Sequence, residues 1–446
     1  MRTIIIGAGK MGFSMAQLLS SENHDVVVID TNPERQKVVN DNLDVKTIIG
    51  SGIESSILQT AEIQETDMLL ALTESDELNM MACIIAKNFG VNIAIARVRN
   101  TDYLESYYTF LQEKLGIDLL LNPERITANE AFNIIENPDT RSVDYFAEGK
   151  VQVISLSVPA SSFLVGKKMM ELPTEHNFNI VSILRGKSTL VPHGQDYILA
   201  DDYISVMAKT SEMPQVKKML GYSSKKVANI CILGGGHTGF YLAKMLERSK
   251  ISHSVKLIEQ DLERARKLSE DLDKTLVLHG NGGDLELMEE ENIKDSDVLV
   301  AVTNDDQINL LSALIAKNMG VKVVLTQLKR PELMFLAKKI GVDVVLSPRV
   351  LASGAVLKYI RKGNIASVAL MNENQAEMLE FVIQPDCKLI GQPLMDIMFP
   401  KSAIIGVIAR QEKVVIPDGY TVIEPLDRVI VFTLADSIHD VERLFS

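Results

Sequence analysis

The chain has 446 residues, with 46 Lys plus Arg against 59 Asp plus Glu and a net charge of -13. That length exceeds a single hydrophobic core and suggests roughly three domains of about 150 residues each, while 46% apolar and 24% charged residues exclude a disordered or collagen-like chain. The acidic balance argues against nucleic-acid or anionic-lipid binding through bulk electrostatics. No apolar run reaches the roughly 18 residues of a membrane-spanning helix. Cys83, Cys231 and Cys387 are too few and too dispersed for a zinc site or a disulfide framework, and Met1-Arg2-Thr3-Ile4 enters a strand without room for a signal peptide. The expectation is a soluble, cytoplasmic protein of a reducing compartment.

In chain order, the pattern predicts a strand at Thr3–Ile6, a helix at Met11–Ser20, a strand at Val26–Ile29, a helix at Pro33–Asp41 and a strand at Lys46–Ile49. Then come a strand at Met68–Leu72, a helix at Asp76–Phe89, strands at Ile93–Arg97 and Asp118–Leu121, and a helix at Arg125–Glu136. Continuous apolar strands alternating with helices indicate a doubly wound parallel sheet covered on both faces. Past Asn137-Pro138-Asp139 the grammar changes. Ile154, Leu156 and Val158 alternate with Ser155 and Ser157, which predicts a strand with one wet face. A hairpin of Ile180–Leu184 and Thr189–Val191 turns on Arg185-Gly186-Lys187-Ser188, and a third strand covers Tyr203–Met207. Asp201, Asp202 and Asp427 fall in loops and are expected to be solvated.

The whole plan is written twice. Ile4–Gly12 recurs as Cys231–Gly239, Leu72–Asn79 as Val302–Asn309, Ile85–Val91 as Ile315–Val321, and Val191-Pro192-His193-Gly194 as Ile416-Pro417-Asp418-Gly419. A period of about 225–230 residues is far beyond a solenoid repeat and marks a tandem duplication of a two-part module. About five extra residues lie around Tyr107–Phe110 in the first copy, and Gly221–Lys226 serves as the linker between copies. The fold class is therefore α/β: two Rossmann-like doubly wound domains, each followed by a small α+β lobe. The predicted division is 1–124, a connecting helix at 125–142, 143–221, then 227–347, 348–366 and 367–446.

Gly7-x-Gly9-x-x-Gly12 follows a strand and opens a helix, the context of a dinucleotide-binding turn. Gly7 permits the tight turn, Gly9 admits a pyrophosphate to the backbone, and Gly12 permits close helix–strand packing; free N–H groups at the helix start then face phosphate. Ala8, Lys10 and Met11 fill the loop, with Lys10 a possible phosphate contact or a solvated cation. Asp30 ends the second strand, where a carboxylate accepts ribose hydroxyls and repels a 2′-phosphate, so NADP is disfavoured. The second copy repeats this with Gly234, Gly235, Gly236, His237, Thr238, Gly239 and Glu259. Thr73-Glu74 and Thr303-Asn304 follow the fourth strand, where the strand order reverses and ligands bind. Gly50-Ser51-Gly52 and Gly280-Asn281-Gly282 could lie under an adenosine, or be ordinary loops. Arg97, which could meet phosphate or a partner subunit, becomes Gln327 in the second copy.

Of seven histidines only His237 and His279 fall beside a glycine loop, and their counterparts are Lys10 and Ile49, so no shared proton relay was duplicated. No nucleophile elbow, Walker lysine or metal cluster is present in the sequence. A binding and switching protein is expected rather than an enzyme. The competing readings are an NAD-dependent oxidoreductase with duplicated Rossmann domains and a small-molecule sensor.

Gly7–Gly12, Asp30, Leu72–Met80 and Ala96–Tyr103, together with Val165-Gly166-Lys167 and the Leu190–Gly194 turn, resemble the RCK (regulator of K⁺ conductance, or KTN) family, in tandem and over essentially the whole chain. The resemblance implies a regulatory subunit of a Trk-type potassium-uptake system. Such a subunit is a homotetramer forming a gating ring, peripheral on the inner face of the membrane beneath a TrkH-type channel or transporter. It implies NAD(H) or ATP and ADP as ligands, held by Gly7–Met11, Asp30, Thr73, Glu74 and Arg97, and by Gly234–Thr238, Glu259, Thr303 and Asn304, with Gln327 a departure. It also implies that the helices Arg125–Glu136 and Arg349–Arg361 cross to a neighbouring module, packing through Ala128, Ala131, Phe132, Ala352 and Ala355.

Overall fold

The computed structural model describes residues 1–100, 103, 107–138, 140–172, 177–186, 188–222, 227–360, 365–371 and 376–445. Thr101, Asp102, Asp139, Lys187, Arg361 and the linker positions Ser223–Lys226 lie outside the described residues. Among the described residues, the first copy opens with strands β1 (Arg2–Ile6), β2 (Asp25–Asp30), β3 (Lys46–Ile49), β4 (Met68–Ala71), β5 (Ile93–Arg97) and β6 (Leu119–Leu121). Between them run helices α1 (Lys10–Ser21), α2 (Pro33–Asn42), α3 (Ser55–Thr60), α4 (Asp76–Asn88) and α5 (Tyr108–Glu113), and α6 (Pro123–Glu136) follows. The strands form one parallel sheet in the order β3-β2-β1-β4-β5-β6. Strand β4 is buried along its whole length and β2 beyond its first residue. Two-sided coverage of this kind explains why these strands read as unbroken apolar runs. Helix α5 falls in the segment that the repeat marks as carrying extra residues.

Sheet two of the first copy is antiparallel, order β10-β9-β11-β8-β7, from β7 (Thr140–Phe146), β8 (Val151–Ser157), β9 (Phe178–Arg185), β10 (Ser188–Leu190) and β11 (Tyr203–Lys209), closed by α7 (Met213–Met219). The second copy repeats the parallel sheet as β14-β13-β12-β15-β16-β17, using β12 (Asn229–Leu233), β13 (Ser254–Glu259), β14 (Leu276–His279), β15 (Val298–Ala301), β16 (Val323–Gln327) and β17 (Val344–Leu346). Its helices are α8 (His237–Arg248), α9 (Leu262–Asp271), α10 (Leu285–Glu290), α11 (Asp306–Asn318), α12 (Pro331–Lys339) and α13 (Pro348–Ile360). The second antiparallel sheet is β18-β19-β22-β20-β21: β18 (Ile365–Met371), β19 (Ala376–Val382), β20 (Ala403–Arg410), β21 (Lys413–Val415) and β22 (Arg428–Leu434), followed by α14 (Ile438–Phe445). No described helix is long and apolar enough to cross a membrane.

By packing, residues 1–128 and 347–356 form one compact unit, and 129–346 with 357–446 form the other. The first unit therefore takes up the start of α13, from the second copy, while the end of α6 belongs with the second copy's parallel sheet. Ala128, Ala131 and Ala352 are fully buried.

Two expectations for the small lobes fail. Strand β8 is dry on both faces: Ser155 and Gln152 are buried as well as Ile154 and Leu156, and only Ser157 is exposed. One face packs on Leu164, Ile180, Ile204 and Val216. The other shares a second core in which Val153, Val181 and Met207 meet Met378, Val407 and Phe432 of the other small lobe. The buried serines satisfy one another, Ser142 to Ser155 at 3.0 Å, Ser155 to Ser205 at 3.2 Å and Ser182 to Ser205 at 2.7 Å, as buried hydroxyls must.

Asp202 and Asp427 are not solvated either, at 1% and 0% exposure. Arg185 binds Asp202 in a two-pronged fashion at 2.9 and 2.8 Å, and Arg410 binds Asp427 likewise at 2.9 and 2.8 Å. The same carboxylates take the Leu199 and Glu424 N–H groups at 2.8 and 2.9 Å, which fixes the turn into the last strand of each lobe. Removing Arg185 strands the buried Asp202 carboxylate, so Arg185→Ala is expected to cost about 3–5 kcal/mol and to shift the denaturant midpoint of the small-lobe transition, followed by near-ultraviolet dichroism; an unchanged midpoint would refute this role. Asp201 is exposed.

Candidate functional site

The two glycine loops occupy the point of each parallel sheet where β1 (or β12) feeds α1 (or α8), where the strand order proceeds outward to both sides. Gly7 adopts φ +103° and Gly234 φ +105°, backbone that other residues rarely tolerate. A Cβ on Gly7 would sit 3.1 Å from the Thr73 nitrogen; one on Gly12 would sit 1.7 Å from the Gly7 carbonyl oxygen. The counterparts are 2.8 Å for Gly234 to the Thr303 nitrogen and 2.0 Å for Gly239 to the Gly234 oxygen. Gly9 and Gly236 differ in kind, because a Cβ there meets nothing within 4 Å. Each loop thus has two glycines fixed by packing and one that faces open space at the helix start.

That helix start has no side-chain cap in either copy, with Gly9 and Gly236 at the N-cap position. The contrast lies in the same sheets: α2 is capped by Asn32, α4 by Ser75, α9 by Asp261 and α11 by Asp305. Uncapped N–H groups and the positive end of the helix dipole form an anion cradle. Lys10 and His237 are the exposed first residues of their helices, whereas Gly12, Thr238 and Gly239 are buried. Met11 is half-buried.

Asp30, buried at the end of β2, accepts the Ala8 N–H at 2.6 Å and the Asn32 N–H at 2.8 Å, one on each oxygen. Glu259 repeats this on Gly235 at 2.7 Å and Asp261 at 2.9 Å. Each oxygen keeps a further lone pair, so the carboxylate shapes the loop and can still accept a ribose hydroxyl. Gly235 has a tighter reason to lack a side chain than Ala8 does, because a Cβ would lie 2.2 Å from Leu268 Cδ1. Arg264 adds a contact the sequence reading passed over: its Nε donates to the Gly235 carbonyl at 2.9 Å and its guanidinium lies 5.9 Å from the Phe240 ring centre.

Across the sheet reversal, Thr73 and Thr303 are positioned by buried asparagines. Asn79 takes the Thr73 N–H and hydroxyl at 2.9 and 2.7 Å and donates to the carbonyls of Thr73 and Arg97 at 3.1 and 2.9 Å. Asn309 does the same for Thr303 and Gln327 at 2.8, 2.6, 3.0 and 2.9 Å. These two residues tie the ends of β4 and β5, and of β15 and β16, into one rim. Their signal in the sequence was the shared Asn six residues after the threonine. Glu74 and Asn304 are exposed, and their carbonyls accept from Arg99 and Lys329. Ser51 and Asn281 lie in the loops after the third strand; Gly52 is buried, and a Cβ there would strike Ile6 at 2.3 Å, so its smallness serves packing on β1.

Arg97 and Gln327 mark the largest difference between the copies. Arg97 reaches Glu124 only at 3.8 Å and the Thr73 carbonyl at 3.5 Å; its Nε and the Glu124 Oε2 are buried without a hydrogen-bond partner. Burial pulls the guanidinium below its usual range, and the facing Glu124 charge opposes that. Gln327 instead accepts the Thr238 hydroxyl at 3.2 Å, which places the end of β16 directly against the start of α8. His279 Nε2 lies 3.1 Å from the Gln260 carbonyl oxygen.

Family models described as the TrkA-N domain match residues 3–123 and 230–348, and models of the TrkA-C domain match 153–221 and 378–446. The chain is 34% identical over 452 residues to Trk system potassium uptake protein TrkA homolog 2 of Methanosarcina mazei, covering 100% of both chains. It is 35% identical over 454 residues to Trk system potassium uptake protein TrkA of Halomonas elongata, covering 100% of this chain and 98% of that one. Among solved structures, the GsuK channel bound to NAD superposes with a TM-score of 0.66 at 16% identity, over 100% of this chain and 78% of the channel. The GsuK RCK domain gives 0.65 at 16% identity over 100% of this chain and 94% of that chain. At such identity the likeness speaks for the tandem fold.

Proposed function

This chain belongs to the TrkA family, and from that premise we propose that it is the nucleotide-binding regulatory subunit of a Trk-type potassium-uptake system. The observation that carries the reading is the pair of uncapped helix starts, each with one glycine facing open space and an acidic strand end beside it. The ligands are NAD(H) or ATP and ADP. Gly7–Gly12, Asp30, Thr73, Glu74 and Arg97 serve the first site, with Ser51 and Gly52 beneath it; Gly234–Gly239, Glu259, Asn281, Thr303 and Asn304 serve the second. A 2′-phosphate would approach the carboxylate of Asp30 or Glu259, which disfavours NADP. The fit rests on the residues present: the helix N–H groups would hold phosphate, and the strand-end carboxylates would hold the ribose.

In this reading the chain assembles as a homotetrameric gating ring on the cytoplasmic face of a TrkH-type membrane subunit, and regulates rather than catalyses. Nucleotide biases the partner only through unequal affinity for two arrangements of the ring. The test is potassium flux into proteoliposomes holding the TrkH-type subunit, with this chain added and NAD, NADH, ATP or ADP varied. A change of at least about 5-fold between nucleotides is expected from a coupling of this kind; equal flux under all four would overturn the regulatory reading.

A further inference from the structure

Glu136 closes the last turn of α6 and docks on the segment between α8 and β13. His253, 1% exposed at its side chain, lies beneath it, with Nε2 2.8 Å from Glu136 Oε1 and Nδ1 2.9 Å from the Val227 carbonyl oxygen. The Ser249 hydroxyl donates to the same Glu136 oxygen at 2.8 Å while accepting the Ile251 N–H at 2.9 Å. A carbonyl and a carboxylate only accept, and a neutral imidazole carries a single N–H, so either tautomer leaves one ring lone pair pressed against an oxygen. Two short contacts need two protons.

We propose that this contact is a proton-held clasp: His253 and Glu136 together bind one proton more than a neutral imidazole and a free carboxylate, and that proton fastens the end of α6 to the second parallel-sheet lobe. The clasp is complete while the pair holds the proton and is lost as pH rises through the pair's titration, so docking weakens toward alkaline pH. Other ionisable groups surround it. Tyr145 on β7 is pushed up by burial and then by the Glu136 charge; Lys217 on α7 reaches Asn137 at 3.1 Å; Glu130, earlier on α6, is pushed up to about 7 by burial and then by Asp144. The reciprocal positions are His24 in the first copy, matching His253, and Arg361 in the second copy, outside the described residues, matching Glu136. An arginine accepts no hydrogen bond, so the device belongs to one half of the duplication.

Glu136→Gln separates a proton clasp from a merely structural contact. Its amide can donate to a neutral imidazole whose Nδ1–H serves Val227, so it docks without the extra proton. In hydrogen–deuterium exchange of the full chain, corrected for intrinsic rates, protection at residues 131–137 should fall ~10-fold or more in the native chain between about pH 6 and pH 9. In Glu136→Gln it should change less than about 3-fold, any residual slope being that of Glu130 and Tyr145. Equal slopes in the two proteins, or no slope in the native chain, would overturn the proposal. Nitrogen-15 histidine spectra of the native chain, with the His253 signal identified by His253→Gln, give an independent reading. Two bound protons on the His253–Glu136 pair are expected at the acid end of that range; a single ring proton with an ionised Glu136 there would refute the clasp.

Discussion

Gly9→Glu is expected to abolish nucleotide binding at the first site while leaving the thermal midpoint unchanged or slightly raised. A side chain at Gly9 enters open space, since its Cβ meets no heavy atom within 4 Å, and its φ of -67° is ordinary for any residue. The new carboxylate stands at the N-cap of α1, where the helix dipole favours a negative group by about 0.3–1 kcal/mol. It therefore stands at the donors a phosphate would use and repels that phosphate as well. Affinity should fall at least ~100-fold, equivalent to about 3 kcal/mol. Calorimetry with NAD, NADH, ATP and ADP on Gly9→Glu, on Gly236→Glu and on the double variant checks it. One site should remain in each single variant and none in the double. Undiminished binding by the double variant would remove the glycine loops from the proposed function, whatever the family relationship.

Gly12→Ala is expected to do the opposite: it should damage the fold first and binding only as a consequence. The added Cβ would lie 1.7 Å from the Gly7 carbonyl oxygen and 2.9 Å from its carbon, both backbone atoms that cannot rotate away. Either α1 lifts off β1 or the turn at Gly7 opens. Overpacking of this kind costs typically 1–3 kcal/mol, and with backbone on both sides about 3 kcal/mol or more is anticipated. Gly239→Ala, at 2.0 Å from the Gly234 oxygen, should behave alike in the second copy. The control is Gly9→Ala, expected within about 1 kcal/mol of the native chain. Urea unfolding followed by circular dichroism distinguishes them, and equal midpoints for Gly9→Ala and Gly12→Ala would contradict the steric account.

The glycines and the strand-end acids were legible in the sequence because their reasons are local. A turn that needs positive φ, a helix start without a cap and a carboxylate at the end of β2 all lie within one strand–helix–strand unit, so residue spacing alone identifies them. Thr73 and Arg97 were legible as positions, but the residue that makes them a rim, Asn79, acts by joining two strand ends that are brought together by the sheet order. The pairing of Gln327 with Thr238 is of the same sort. Arg264 escaped notice because its contact is with a backbone carbonyl, which leaves no trace in residue type.

The duplication, the α/β class, the alternation of buried strands with helices and the two phosphate-type loops follow from pattern along the chain, since each is set by neighbours a few residues away. Tertiary structure alone decided which surfaces of the small lobes are dry and which carboxylates are buried. Ser155 reads as solvent-facing because alternation records only whether neighbouring side chains differ; Ser182, on the far side of β11 in the same sheet, is buried as well. What covers them is a second lobe, and Asn179 meets the Gly406 carbonyl across 227 positions of sequence. A cover supplied from that far away leaves no periodic mark on the strand it covers. Chain length counts cores only coarsely; the shared core of Val153, Met207, Val407 and Phe432 shows the two small lobes completing one another.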